Sequence, residues 1–179
     1  MKKLILSVSF VVLFLSMTIA QKNEGEVKWY TFEEAVELNK KEESRKLFID
    51  VYTDWCKWCH EMERTTFKDP KIVEILNNDF YAVRFDAESQ DTIQFQGYEL
   101  INEKAGERKG YPHQLAIALL QGKMSYPSIA YMNEKNQLIT AIPGYFNAER
   151  LEPVLKFIHE DAYTHTSLKD YVQSYTTDK

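Results

Sequence analysis

An α/β fold is predicted by three features of the sequence. A short apolar, β-branched run covers Lys46-Leu-Phe-Ile-Asp-Val-Tyr-Thr53, a second spans Phe80 to Asp86, and helical periodicity lies before and between them. The first helix is expected over about 32–43, because Phe32, Ala35, Val36 and Leu38 fall at helical spacing behind the capping box Thr31-x-x-Glu34. From Cys56 onward Met62, Phe67, Ile72, Ile75 and Leu76 recur at helical intervals. Asp69-Pro70 marks a break and restart, since proline suits a first helical turn.

Beyond the second strand, Ile93, Phe95, Tyr98 and Leu100 around Gln96-Gly97 predict a small hairpin, and Pro112 to Leu120 a short helix ended by Gly122. Ser128 to Met132 and Gln137 to Ile142 flank Asn133-Glu-Lys-Asn136 as an antiparallel hairpin, and Ala148 to His159 forms an amphipathic closing helix. The tail 164–179 is polar, with a weak helical stretch around Leu168 to Tyr175. No internal repeat or low-complexity linker interrupts the chain.

Lys2 and Lys3 followed by the apolar run Leu4 to Ala20 have the form of a secretory signal, with cleavage expected before Gln21. An uncleaved membrane anchor is the alternative reading of the same run. The expected organisation is a signal peptide over 1–20, one domain over 21–163 and the tail. The expected location is outside the cytoplasm, which in a Gram-negative cell is the periplasm. Without the leader, 20 basic residues stand against 27 acidic ones, so the net charge of −5 becomes −7. A nucleic-acid partner is excluded on this balance, because neutralising phosphates needs a clustered Lys/Arg surface.

An exported chain in an oxidising compartment normally carries widely spaced structural cysteines. This chain has two, Cys56 and Cys59. A bridge closing so short a loop removes little entropy from the unfolded chain, so stabilisation is a poor explanation for the pair. Cysteines at i and i+3 on a first helical turn share a face, and a helix start lets their sulfurs reach bonding distance. The Cys56 sulfur would lie at the unpaired N–H groups and positive end of the helix dipole, which favours thiolate, so Cys56 is the expected nucleophile. Cys59, one turn deeper, is the expected resolving thiol.

With Trp55-Cys56-Lys57-Trp58-Cys59 directly after a strand, Asp50 six residues before Cys56, and Tyr126-Pro127 opening a later strand, residues 46–158 resemble the thioredoxin superfamily. The stretch Asp54 to Asp86 looks most like exported thioredoxin-like domains, of the type found as the carboxy-terminal domain of DsbD. The resemblance implies a thioredoxin fold, a central mixed sheet flanked by helices, with an insertion at about 87–123 before a strand that opens on a cis proline. It also implies that Asp50 takes a proton from Cys59, and that Pro127 packs against the cysteines and leaves the preceding backbone free to pair with an extended substrate. Trp55, Lys57, Trp58, Tyr126 and Pro127 are then the expected substrate contacts, although Trp58 can equally be a packing residue. In place of the lysine that many thioredoxins set beside this acid, Ala82 is expected, a departure from the pattern.

The function expected from this resemblance is disulfide exchange with exported proteins, without a bound cofactor or metal, and with a membrane electron donor as a further candidate partner. Lys57 favours the thiolate and tilts the pair towards oxidant, whereas the DsbD-type likeness tilts it towards reductant, which is the expected direction. Two other classes compete. Cys56-x-x-Cys59-His60 also fits the attachment signature of a c-type haem, and a thioredoxin fold can serve as a redox-inactive binding or chaperone module. Zinc is disfavoured because a closed site wants four ligands. The 87–123 segment carries Phe95, Tyr98, Tyr111, Leu115 and Leu119, too much apolar surface for disorder, and is expected to be ordered and to narrow partner choice.

Overall fold

The computed structural model describes residues 25–41, 43–107 and 110–177, so the leader expected over 1–20 lies outside the described residues. Among the described residues no helix is long and apolar enough to cross a membrane. The elements run β1 (Trp29–Tyr30), α1 (Phe32–Leu38), β2 (Lys46–Tyr52), α2 (Lys57–Arg64), α3 (Pro70–Asp79), β3 (Phe80–Asp86), β4 (Ile93–Phe95), β5 (Tyr98–Leu100), α4 (Gln114–Leu119), β6 (Ser128–Met132), β7 (Leu138–Pro143), α5 (Ala148–His159) and α6 (Leu168–Thr177).

The main sheet has the order β1-β3-β2-β6-β7. β2 and β3 are parallel, as a strand–helix–strand crossover requires, and β6 and β7 add antiparallel. Successive side chains of β2 alternate between faces. Phe48 points into a core with Met62, Phe67, Ile72, Leu76, Ile129, Tyr131 and Leu151, beneath α2, α3 and α5. Leu47, Ile49 and Val51 point into a second core with Phe32, Ala35, Val83, Leu115 and Leu119. β2 is therefore buried on both sides, which is why its sequence reads as a continuous apolar run rather than an alternating one.

Helix α1 has the expected capping box, Thr31 Oγ1 accepting from Glu34 N and Glu34 Oε2 accepting from Thr31 N. It ends at Leu38 rather than near residue 43. Asn39 stops it by accepting the Arg45 N–H at 2.8 Å through its side chain and donating to Asn136 at 3.0 Å, which turns the chain back into β2. Asp69 caps α3 above Pro70. The 133–136 turn is held by Asn133 Oδ1, which accepts from Lys135 N and Gln137 N.

Among the described residues the insertion bears core. Ile93, Leu115, Ala116, Leu119 and Leu120 close the second face of the sheet, and Phe32 and Phe95 meet edge to face with centroids 5.1 Å apart. Burying one such aliphatic side chain is worth about 1.5–3 kcal/mol. The segment is thus a structural layer as well as a loop. α4 begins two residues later than expected because His113, fully buried, supplies its cap by accepting the Leu115 N–H at Nδ1. Burial holds the His113 ring below its ordinary pKa, consistent with a neutral imidazole accepting at Nδ1 and donating from Nε2 to Asp91 O at 3.0 Å. Gly122 ends the helix at φ 76°, its N–H reaching back to Ile117 O. At the carboxy end α6 lies on α5 through Tyr171 and Phe157, with ring centroids 5.4 Å apart.

Candidate active site

β2 delivers the chain to a tight turn in which Cys56 N donates to Thr53 O at 3.0 Å, and Cys56 becomes the N-cap of α2. Cys56 and Cys59 are joined by a disulfide, S–S 2.05 Å and Cα–Cα 5.3 Å. Cys56 Sγ also accepts the Cys59 backbone N–H at 3.1 Å. Cys56 is 4% exposed and Cys59 fully buried, so the first cysteine is the nearer to solvent. The Tyr126–Pro127 peptide bond is cis and Pro127 is buried.

The two tryptophans of the Cys-x-x-Cys segment each meet a tyrosine. Trp55, 66% exposed, meets Tyr126 edge to face at 5.8 Å, and its indole N–H donates to Glu88 Oε1 at 2.6 Å. Trp58, 55% exposed, leans on Tyr145 at 5.1 Å, so it packs and faces solvent at once. Lys57 is exposed on the first turn of α2. His60 Nε2 lies 2.8 Å from Asp54 O and its Nδ1 3.7 Å from Glu63 Oε2.

Asp50 is fully buried on the face of β2 that α2 covers, and among the described residues neither of its carboxyl oxygens has a hydrogen-bond partner. Burial pushes its pKa up to about 7, with Arg84 opposing the shift and Glu63 adding to it. The cation beside the acid is Arg84, which corrects the expectation of Ala82. Parallel pairing starts with Lys46 opposite Phe80, so Ala82 meets Phe48 and Arg84 meets Asp50.

Arg84 Nε lies 3.6 Å from Asp50 Oδ2, outside hydrogen-bond range, because the outer edge of the guanidinium is engaged by both oxygens of Glu63, Nη2 to Oε2 at 2.8 Å. Its plane lies over the Tyr52 ring at 4.4 Å. Glu63 therefore draws the cation outward and leaves Asp50 incompletely compensated. Arg84→Met is expected to raise the pH at which Asp50 titrates and Glu63→Gln to lower it. Carboxyl 13C shifts followed across pH 4–9 check the two signs, and displacement of both variants in one direction contradicts this account.

The sequence reading missed Arg84, Glu63, Glu88 and Tyr145. The lone basic residue among the apolar positions 80–85 was the signal available for Arg84, since a buried acid and a half-buried base on neighbouring strands invite pairing. Glu63 follows Cys59 by one helical turn. Glu88 and Tyr145 have no local signal, because long-range folding brings them to the site.

A family model described as Thioredox_DsbH, protein of unknown function, DUF255, matches residues 13–168. Among curated proteins, the thiol:disulfide interchange protein DsbD of Haemophilus influenzae (strain PittEE) is 26% identical over 113 residues, covering 62% of this chain and 16% of that protein. The chain spans about a tenth of the length of the first curated relatives it matches. Among solved structures, a thioredoxin-fold protein from Helicobacter pylori aligns over 76% of this chain and 87% of its own, with a TM-score of 0.58 and 17% identity. A DsbH oxidoreductase aligns over 83% of this chain and 93% of its own, with a TM-score of 0.52 and 16% identity. With the family match running through nearly all of the described residues, and a Cys-x-x-Cys pair of the disulfide-oxidoreductase type seated on a thioredoxin fold, the chain belongs to the Thioredox_DsbH (DUF255) family.

Proposed function

We propose that this protein is an exported thiol–disulfide oxidoreductase that reduces disulfides in exported protein partners. The observation that carries the reading is the Cys56–Cys59 bond at the start of α2, on the side of the sheet where Asp50 is buried without a hydrogen-bond partner. In the reduced protein, Cys56 thiolate attacks a partner disulfide, forming a mixed disulfide and releasing one partner thiolate. Asp50 takes the proton of Cys59, whose sulfur attacks Cys56 Sγ. The Cys56–Cys59 bond closes, and the second partner thiolate leaves.

Two electrons pass to the partner, so a donor must re-reduce the pair, and a membrane electron donor is the partner class that suits an exported site. Trp55, Lys57, Trp58, Tyr126 and Pro127 form the substrate surface, with an extended segment docking beside the cis proline. The leader-like residues 1–20 support export. Disulfide exchange is supported by the likeness to DsbD, a thiol:disulfide interchange protein.

The reading is tested by insulin reduction with dithiothreitol as donor, in which the protein is expected to accelerate precipitation of the insulin B chain. A glutathione titration is expected to place the pair nearer thioredoxin's potential of about −270 mV than the roughly −120 mV of a strong oxidant. No acceleration removes the oxidoreductase reading, and a potential near the upper value reverses the direction.

A further inference from the structure

The insertion reaches the redox site through Glu88. One carboxylate oxygen, Oε1, accepts the Trp55 indole N–H at 2.6 Å, and the other, Oε2, accepts the Gly110 backbone N–H at 3.3 Å. The Glu88 backbone carbonyl accepts from the Asn102 side chain at 3.4 Å, and the same amide donates to Tyr111 O at 2.8 Å. Asn102 is itself buried, and its Oδ1 accepts the Lys104 N–H. Both ends of the 102–111 loop are therefore tied to a single residue, whose own N–H is anchored on Asp86 at the end of β3.

On the other side of this residue stands Trp55, next to Cys56 in the chain. It is the most exposed ring of the redox site, and its aromatic neighbour is Tyr126, which enters the cis bond to Pro127. Tyr126 lies within the electrostatic reach of Glu88 as well. An indole two-thirds exposed has little packing to fix its two side-chain torsions, so a charge-assisted hydrogen bond is the main restraint on where it points. A cleft of about 1070 Å³ lined by Trp55, Glu88, Asn102, Gly110 and Tyr111 opens beside it. Trp55 thus stands at the boundary between the cysteine pair and the space shaped by the insertion.

We infer that Glu88 is a specificity-determining positioning residue: by holding the Trp55 indole, it lets the 87–123 segment set which polypeptide disulfides reach Cys56. The inference rests on the disulfide-exchange reading above and deepens it. A polypeptide must lie across Trp55 and Tyr126 to bring its disulfide to Cys56, whereas a small disulfide needs only the sulfur. Loss of the latch should therefore separate the two kinds of substrate. It should leave the sulfur chemistry alone, since Glu88 makes no hydrogen bond to either cysteine among the described residues.

The test compares kcat/KM for insulin and for 5,5′-dithiobis(2-nitrobenzoate), using the full chain. Glu88→Ala is expected to lower the insulin value about five- to tenfold, the order of one solvent-accessible hydrogen bond, and to leave the small-disulfide value and the Cys56–Cys59 potential unchanged. Glu88→Gln, which keeps a carbonyl acceptor for the indole, is expected to retain most of the insulin activity. Trp55→Phe keeps the ring and removes the N–H, so it should reproduce the insulin loss without touching Glu88. In a Trp55→Phe background, Glu88→Ala should then cost nothing further. Equal loss on both substrates, additive losses in the double variant, or an insulin value unchanged in Glu88→Ala would overturn the inference while leaving disulfide exchange standing. A wild type inactive on both disulfides would overturn the exchange reading and this inference with it.

Discussion

Cys59→Ser is expected to accumulate disulfide-linked adducts with partner proteins, and Cys56→Ser to form none, with both variants reduced to background in insulin turnover. The asymmetry follows from the positions of the sulfurs. Cys56 caps α2 where the Cys59 N–H points at its sulfur, an arrangement that stabilises a thiolate at this position and not one turn later. Cys56 is also the cysteine with residual exposure, Cys59 having none. In the proposed cycle an adduct on Cys56 is released by attack from Cys59, so replacing that sulfur with oxygen should strand the intermediate. Non-reducing gels of an exported-protein fraction, followed by reduction and mass spectrometry of the released partners, read the outcome. Adducts on Cys56→Ser instead would exchange the two roles.

Asp50→Asn is expected to stabilise the oxidised protein at neutral pH and to slow its redox cycle. Asp50 titrates near 3.8 in an unfolded chain and at about 7 in the fold, because a carboxylate at this depth has lost its water and its oxygens have no hydrogen-bond donor in exchange. Between those two pH values the native protein holds a proton that the unfolded chain has released. Its stability therefore falls as pH rises from about 4 to about 7, and stays lowered above that. A difference of about three pH units corresponds to roughly 4 kcal/mol. Asn removes the titration, so urea unfolding should show a gain approaching that size above pH 7, shrinking towards zero below pH 4.

In the proposed cycle the same substitution removes the proton acceptor of Cys59. The rate of mixed-disulfide resolution should then lose the rise that the wild type shows as pH passes about 7. A stability gain with unchanged kinetics across pH 6–9 would make Asp50 a buried acid with no part in proton transfer.

Several elements were legible residue by residue. Phe80–Asp86, Ser128–Met132 and Ala148–His159 have their expected bounds, because each is delimited by signals carried within a few residues: a Pro- or Asn-marked start, a turn, or a period of 2 or 3.6. The β4–β5 hairpin follows from Gln96 and Gly97, both at positive φ. Where boundaries moved, a long-range contact had overridden a local preference. Asn39 ends α1 through Asn136, 97 residues away, and the His113 cap on α4 depends on the ring being buried against Phe85.

The division at the site is physical too. By itself the sequence determined the Cys-x-x-Cys pair at a helix start, the acid in the strand before it and the proline after it, since spacing along the chain suffices to place these groups on their elements. Only the tertiary structure decided the charge environment of that acid. Strand register, a property of two segments more than thirty residues apart, put Arg84 rather than Ala82 beside Asp50, and the face of α2 put Glu63 on Arg84. It also decided that the insertion holds Trp55 through Glu88. A hydrogen bond or ion pair depends on distances of a few ångströms between groups remote in sequence, and those distances exist only once the sheet and its two cores have closed.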